Sequence, residues 1–253
     1  MIARRVCLIL GLSLIILMFC GLPVQAEPLP IPDIDLNIRQ TDNPEEVVDT
    51  IRLLVVLTIL SLAPAIVVLM TSFTRIIIVF SFLRNALATQ QTPPNQVLIG
   101  LALFLTFFIM APVYDDIQQQ AIGPYLEGEL PQEEALLLAQ QPLKEFMFTQ
   151  TREKDLALFV NMSGMDKPGS REDVPLIVLT PAFVISELKT AFTMGFLLYI
   201  PFLIVDMVVA STLMSMGMFM LPPIMISLPF KLLLFVMVDG WYLVIKTLLD
   251  GFV

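Results

Sequence analysis

Long apolar runs, broken by prolines and a few isolated charges, set the rhythm of this chain. One runs from Val47 to Phe73, with Arg52 near its start and Pro64 inside, where a helix must kink or divide. Arg75 to Gln91 continues as a second helical piece in which Arg75 and Arg84 stand out, and Thr92-Pro93-Pro94-Asn95 breaks it. Val97 to Val113 follows, 17 apolar residues at the short end for a spanning helix. The polarity then changes: Tyr114 to Asp173 is hydrophilic, with helical patterns over Glu133–Gln141 and Pro142–Met162 and a turn-rich break at Gly164–Gly169. From Val174 the chain is apolar again. A helix from about Pro181 to Ser211, kinked near Pro201, leads to a return helix from about Met225 to Leu249.

Ahead of these runs, Arg4-Arg5, the apolar Val6–Phe19 and the small-residue end Val24-Gln25-Ala26 predict a secretory signal cleaved between Ala26 and Glu27. An uncleaved first helix is the alternative. A lipoprotein signal at Cys20 is disfavoured by bulky Phe19. Residues 27–46, EPLPIPDIDLNIRQTDNPEE, read as an extended acidic lead-in. The pattern predicts an all-α protein of membrane-associated helical hairpins. Two long apolar hairpins, 47–113 and 174–253, flank a helical periplasmic insert, 114–173. The connection in the first hairpin carries arginine and no acid, so it faces the cytoplasm, as a secreted amino terminus also requires.

Composition sharpens this picture. Hydrophobic side chains make up 57% of 253 residues, more than an ordinary soluble domain carries. The net charge of −9 argues against nucleic acid and against adhesion to anionic lipid. Much of it lies in the insert, where 12 acids face 5 bases. Such a segment is a solvated surface or a docking surface. Both cysteines, Cys7 and Cys20, fall in the signal, so the mature chain would have no cysteine and no histidine. That removes disulfides, thiolate nucleophiles and the common zinc ligands, and no metal or cofactor is expected.

Chemistry is scarce. Glu187, Asp206, Lys231 and Asp239 lie deep in the second hairpin, with Lys189 near Glu187. Charges in such surroundings are paired or line water. Pairing of Glu187 with Lys231, within a hairpin or between copies, is the first expectation, and a proton-relay or ion site the second. Asp206 and Asp239 lack the sequence contexts of intramembrane aspartyl proteases. Ser186-Glu187-Leu188-Lys189 matches S-x-x-K without its companion motifs, and no phosphate-binding loop of the G-x-x-x-x-G-K type exists. No catalytic site is visible, so the chain does not read as an enzyme.

The remaining unusual stretch is Met214 to Pro223, MSMGMFMLPP, with Met214, Met216, Met218 and Met220 at alternate positions. Extended geometry would put all four side chains on one side. Gly217 loosens the backbone, and Pro222-Pro223 halts a helix. Methionine fills gaps of changing shape, so the stretch is either a Met-rich turn or an adaptable seal.

Three runs then resemble one family. SFTRIIIVFSFLRNALATQQTPPNQVLIGLALFLTFFIMAPV (Ser72–Val113) looks like the first hairpin of the FliP family of type III export-gate proteins. LTPAFVISELKTAF (Leu179–Phe192) and LPPIMISLPFKLLLFVMVDGW (Leu221–Trp241) resemble its second. The resemblance implies a ring of five copies joined by FliQ and FliR. It further implies an inner-membrane flagellar basal body with FlhA, FlhB and the assembly factor FliO as partners, and unfolded flagellar proteins as cargo. Lipid would surround part of the assembly, and part would be raised towards the periplasm. It implies that Met218, Phe219 and Met220, with Met214 and Met216 as neighbours, form the pore gasket, Phe219 departing from the family's Met run. It implies an inter-subunit contact between Glu187 and Lys231. The injectisome counterpart shares both hairpins, but the signal favours the flagellar branch. A secondary transporter or channel coupling through Asp206 or Glu187 is the reading from another class.

Overall fold

The structure is a computed structural model that describes residues 54–252, apart from 55, 56, 59, 63, 90, 166, 167 and 172. The expected signal with its Ala26–Glu27 cleavage site, the acidic lead-in, and residues 47–53 of the first hairpin lie outside the described residues. Among those described, regular structure is helical throughout. Helix α1 (Pro64–Met70) meets α2 (Phe73–Ala86) at a 76° bend. The bend falls at Thr71–Ser72, several residues past Pro64. Described residues on both sides of that proline are helical.

Helix α2 ends where Ala88 turns left-handed, and after a cis Thr92–Pro93 bond α3 (Asn95–Ile117) begins. It continues through a π-helical turn, Gln118–Ile122, into the short α4 (Gly123–Leu126). The unbroken stretch is 32 residues, well beyond the 17 that the apolar run alone suggested. Helices α5 (Gln132–Gln150) and α6 (Glu153–Ser163) form the rest of the insert. Glu133–Glu134 and Glu153–Asp155 lie in their first turns, where the helix dipole favours acids. Pro142 lies inside α5; the break comes instead at Thr151–Arg152, and Gly164 at φ 68° closes α6.

The longest element is α7 (Leu176–Ser215), 40 residues assigned as one helix through Pro181 and Pro201. Helix α8 (Pro223–Met237) returns alongside it, and α9 (Gly240–Asp250) leaves α8 at 63°. The expected single return helix is therefore two. Asp239, at φ 51°, takes the left-handed conformation that aspartate tolerates better than most residues. Gly240 follows because a Cβ there would lie 2.1 Å from the Phe235 ring. Two helical stretches, Asn95–Leu126 and Leu176–Ser215, are long and apolar enough to cross a membrane, and the two bent pairs could supply up to two more spans.

Helices α2 and α7 run side by side in the same direction. Arg75 meets Glu187 and Phe82 meets Gly195, a nearly constant offset along both chains. Helix α8 is antiparallel to α7: Phe202 contacts Phe235, and Asp206 contacts Lys231. The larger core joins Ile76, Phe80 and Leu83 of α2 to Leu98 of α3, Ala191 and Phe202 of α7 and Leu248 of α9. A smaller core joins Met147 and Phe148 of α5 and Val160 of α6 to Leu179 and Phe183 at the start of α7.

Candidate functional site: a charged frame behind an exposed methionine turn

Apolar α2 carries Arg75 one residue into its second half-turn, on the side pressed against α7. There its guanidinium Nε donates to Glu187 Oε2 at 2.8 Å, and Nη2 binds the other carboxylate oxygen. Nη2 also donates to Gln150 Oε1 at 2.8 Å, Nη1 donates to the Gly251 carbonyl at 2.9 Å, and the Phe252 ring covers the cation at 3.8 Å. A planar fork fits such a bidentate site, and a lysine could not fill it. One residue earlier on α7, Ser186 Oγ donates to Asp155 Oδ2 at 2.8 Å and accepts the Arg152 backbone N–H at 3.1 Å. The junction of α5 and α6 is thus fastened to the same turn of α7 that holds Arg75.

The second charged group lies further along α7. Lys231 Nζ donates to Asp206 Oδ2 at 2.6 Å and to the Ala86 carbonyl at 3.1 Å, and Ser227 Oγ donates to Asp206 Oδ1 at 2.5 Å. Lys231 is buried and Asp206 half-buried. The lysine also places its charge at the carboxyl end of α2, where the helix dipole favours a cation. Helix α2 is therefore held to the second hairpin by buried charge at both ends.

This arrangement corrects the expected pairing within a chain. Glu187 is bound by Arg75 and Lys231 by Asp206. The antiparallel register of α8 sets Lys231 opposite Asp206, which is 19 residues, or about 28 Å, beyond Glu187 on α7. Asp239 lies at the α8–α9 bend and is exposed within this chain. Lys189 is exposed as well. The signal for Arg75 was present in the sequence as an isolated cation in an apolar helix. Its partner, 112 residues away, could not be read from local pattern.

The methionine stretch also differs from an extended loop. Met214 is in the last turn of α7, Met216 caps it, and Gly217 at φ 76° reverses the chain. The Met218 N–H bonds the Leu213 carbonyl and the Gly217 N–H bonds the Met214 carbonyl, both at 3.0 Å. That paired pattern is a Schellman closure, which needs a left-handed residue and finds it in glycine. Pro222 then adopts an extended conformation, and Pro223 is the first residue of α8, where its missing N–H costs nothing. The result is a tight apolar apex. Met216, Phe219 and Met220 are 74%, 77% and 98% exposed, so little among the described residues covers them. Beside it, an apolar cavity of about 480 Å³ runs between Val205, Val208 and Thr212 of α7 and Ile226 and Phe230 of α8.

No group of three or more His, Cys, Asp or Glu side chains able to hold a metal occurs among the described residues. What the geometry provides is a hairpin fixed at two levels by ion pairs, one buried and one half-buried, and ending in an exposed hydrophobic tip.

The sequence profile of the FliP family matches residues 56–248, which takes in α2, both charged groups and the methionine apex. The chain belongs to the FliP family. A flagellar biosynthetic protein FliP of Bacillus subtilis is 61% identical over 217 residues, 86% of this chain and 98% of that protein. The FliP proteins of Pectobacterium carotovorum and Aquifex aeolicus are 54% and 50% identical, over 80% and 88% of this chain and 79% and 92% of theirs. The FliP-family match is spread over nearly all the described helices and does not single out one motif.

Proposed function

We propose that this chain is a membrane subunit of the flagellar protein export apparatus, and that its α7–α8 hairpin lines the export pore. The observation that carries the reading is the apex itself. Large apolar side chains are seldom left bare as a contiguous patch unless they meet a partner, a lipid or a ligand. Here a rigid Schellman turn and two prolines hold them out. Copies arranged around an axis would bring Met214, Met216, Met218, Phe219 and Met220 together as a gasket. Unbranched thioether side chains would close on one another when the pore is empty and reshape around a passing chain.

In this reading the ion pairs keep α2, α7 and α8 from sliding as unfolded flagellar proteins pass the tip. The long apolar stretches seat the subunit in the inner membrane, and the acidic helical insert faces the periplasm. FliQ and FliR complete the gate, with FlhA, FlhB and FliO as neighbouring factors. Glu187 and Asp206 already have cationic partners, which leaves a transporter little carboxylate with which to couple an ion. The test is the mass of the detergent-extracted protein under native conditions. A large assembly holding several copies and two further membrane proteins supports the reading, and a chain stable alone as a monomer refutes it.

A further inference from the structure

The two apolar cores share α7, and the turn after α9 also touches both. Phe252, in the turn after α9, packs against the larger core while its ring stacks on Phe146 of the smaller one, with centroids 6.2 Å apart and an interplanar angle of 19°. The same ring covers the Arg75 guanidinium, and the neighbouring Gly251 carbonyl accepts from Arg75 Nη1. Phe146 in turn contacts Phe183 of α7 at 6.0 Å. Gly251 is confined too, since a Cβ on it would lie 3.1 Å from Met194 and 3.4 Å from Arg75 Nη1.

We propose that the Gly251–Phe252 turn is a strap that reinforces the Ser186, Arg152 and smaller-core contacts by which the arm formed by the end of α5 and by α6 sits on the α2–α7 pair. Lifting it lets that arm loosen while the hairpin core stays intact. Three features support a separable strap. The turn is joined to the arm by one ring stack, and to the core by one ring and one carbonyl. Gly251 is exposed and Phe252 only half-buried, so solvent reaches the seam. Finally, Arg75 has other partners in Glu187 and Gln150, so the buried cation stays compensated when the turn leaves. The strap would therefore make the insert's order depend on the state of the α9 end of the chain, whatever the insert contacts.

Hydrogen exchange on the full-length protein in its extracted assembly tests this, comparing wild type with Phe252→Ala, Phe252→Leu and Phe252→Tyr. Losing the one aromatic pair that ties the turn to the arm should speed exchange of amides in residues 143–163 by about three- to tenfold in the Ala and Leu variants. Phe252→Tyr keeps both ring contacts and should match wild type. Residues 76–86 should be unchanged in all three. If Phe252→Ala is not recovered, Phe252→Leu carries the comparison alone, because it retains apolar bulk. Unchanged exchange over 143–163, or an equal rise over 76–86, overturns the proposal.

Discussion

Arg75 and Glu187 meet side by side across two parallel helices, with side chains only 3% and 0% exposed. Because α2 and α7 are 112 residues apart at this point, the contact ties the first apolar hairpin to the second. It also defines the register in which Phe82 reaches Gly195 and Ala86 reaches Lys231.

Removing one member of that pair strands the other as a buried, uncompensated charge. Arg75→Ala or Glu187→Ala should each cost about 3–5 kcal/mol. Both should sharply lower the amount of folded protein recovered from membranes. Arg75→Lys should also be impaired, since an ammonium cannot bind two carboxylate oxygens, Gln150 and the Gly251 carbonyl at once. Normal yield and melting temperature for all three would remove the pair from the account.

Asp206 and Lys231 should show strong coupling. Lys231→Met leaves Asp206 and Ser227 facing apolar surroundings, and Asp206→Leu leaves a buried ammonium. Each single change should therefore destabilise more than the double replacement. A double-mutant cycle read by thermal melting checks this, and additive losses would count against it.

The close approach of α2 to α7 depends on a missing side chain. A Cβ at Gly195 would lie 2.5 Å from the Phe82 ring, so Gly195→Val should drive the two helices apart and cost on the order of 1–3 kcal/mol. Combining it with Phe82→Ala should recover part of the loss. A Gly195→Val protein as stable as wild type would show that the helices are not packed in this register.

In the insert, Asp173 Oδ2 accepts the Ser170 backbone N–H at 2.8 Å, and this bond holds the Asp173 carboxyl below the ordinary aspartate value of 3.8. A depressed folded value means that the carboxylate's contribution is fully present above 3.8 and lost as pH falls below it. Protection of the Ser170 amide should follow that course, and Asp173→Asn should abolish the dependence. Flat protection through the acid range would argue against the bond.

Local pattern made the helices legible because their apolar periods and flanking prolines act over a few residues. It failed where a feature depends on what lies opposite. Pro142 looked like a break, yet helix continues through it, as it can when packing on neighbouring helices compensates the lost backbone bond. Three of the breaks, Thr71–Ser72, Thr151–Arg152 and Val238–Asp239, carry no proline. The four buried or half-buried ionisable groups illustrate the same limit. Their apolar contexts told that they must be compensated, but only the parallel α2–α7 register chooses Arg75 for Glu187 and leaves Lys231 for Asp206. At the apex, alternating methionines suggested an extended loop, whereas Gly217 offered the left-handed residue that closes a helix more tightly.

The central claim is that the methionine apex seals a pore, and ion permeability measures it most directly. Replacing Met216, Met218 and Met220 together by Ala removes side chains that contribute little to the packing of the described residues, Met216 and Met220 being largely exposed, so the protein should still fold and assemble. Cells or proteoliposomes carrying the assembly should then show a standing leak of ions or small solutes that wild type lacks. Replacement by Leu should keep the seal, because apolar bulk remains, while slowing export through stiffer side chains. An Ala triple variant that assembles, exports and holds ions as tightly as wild type would contradict the claim and reduce the apex to a hydrophobic turn.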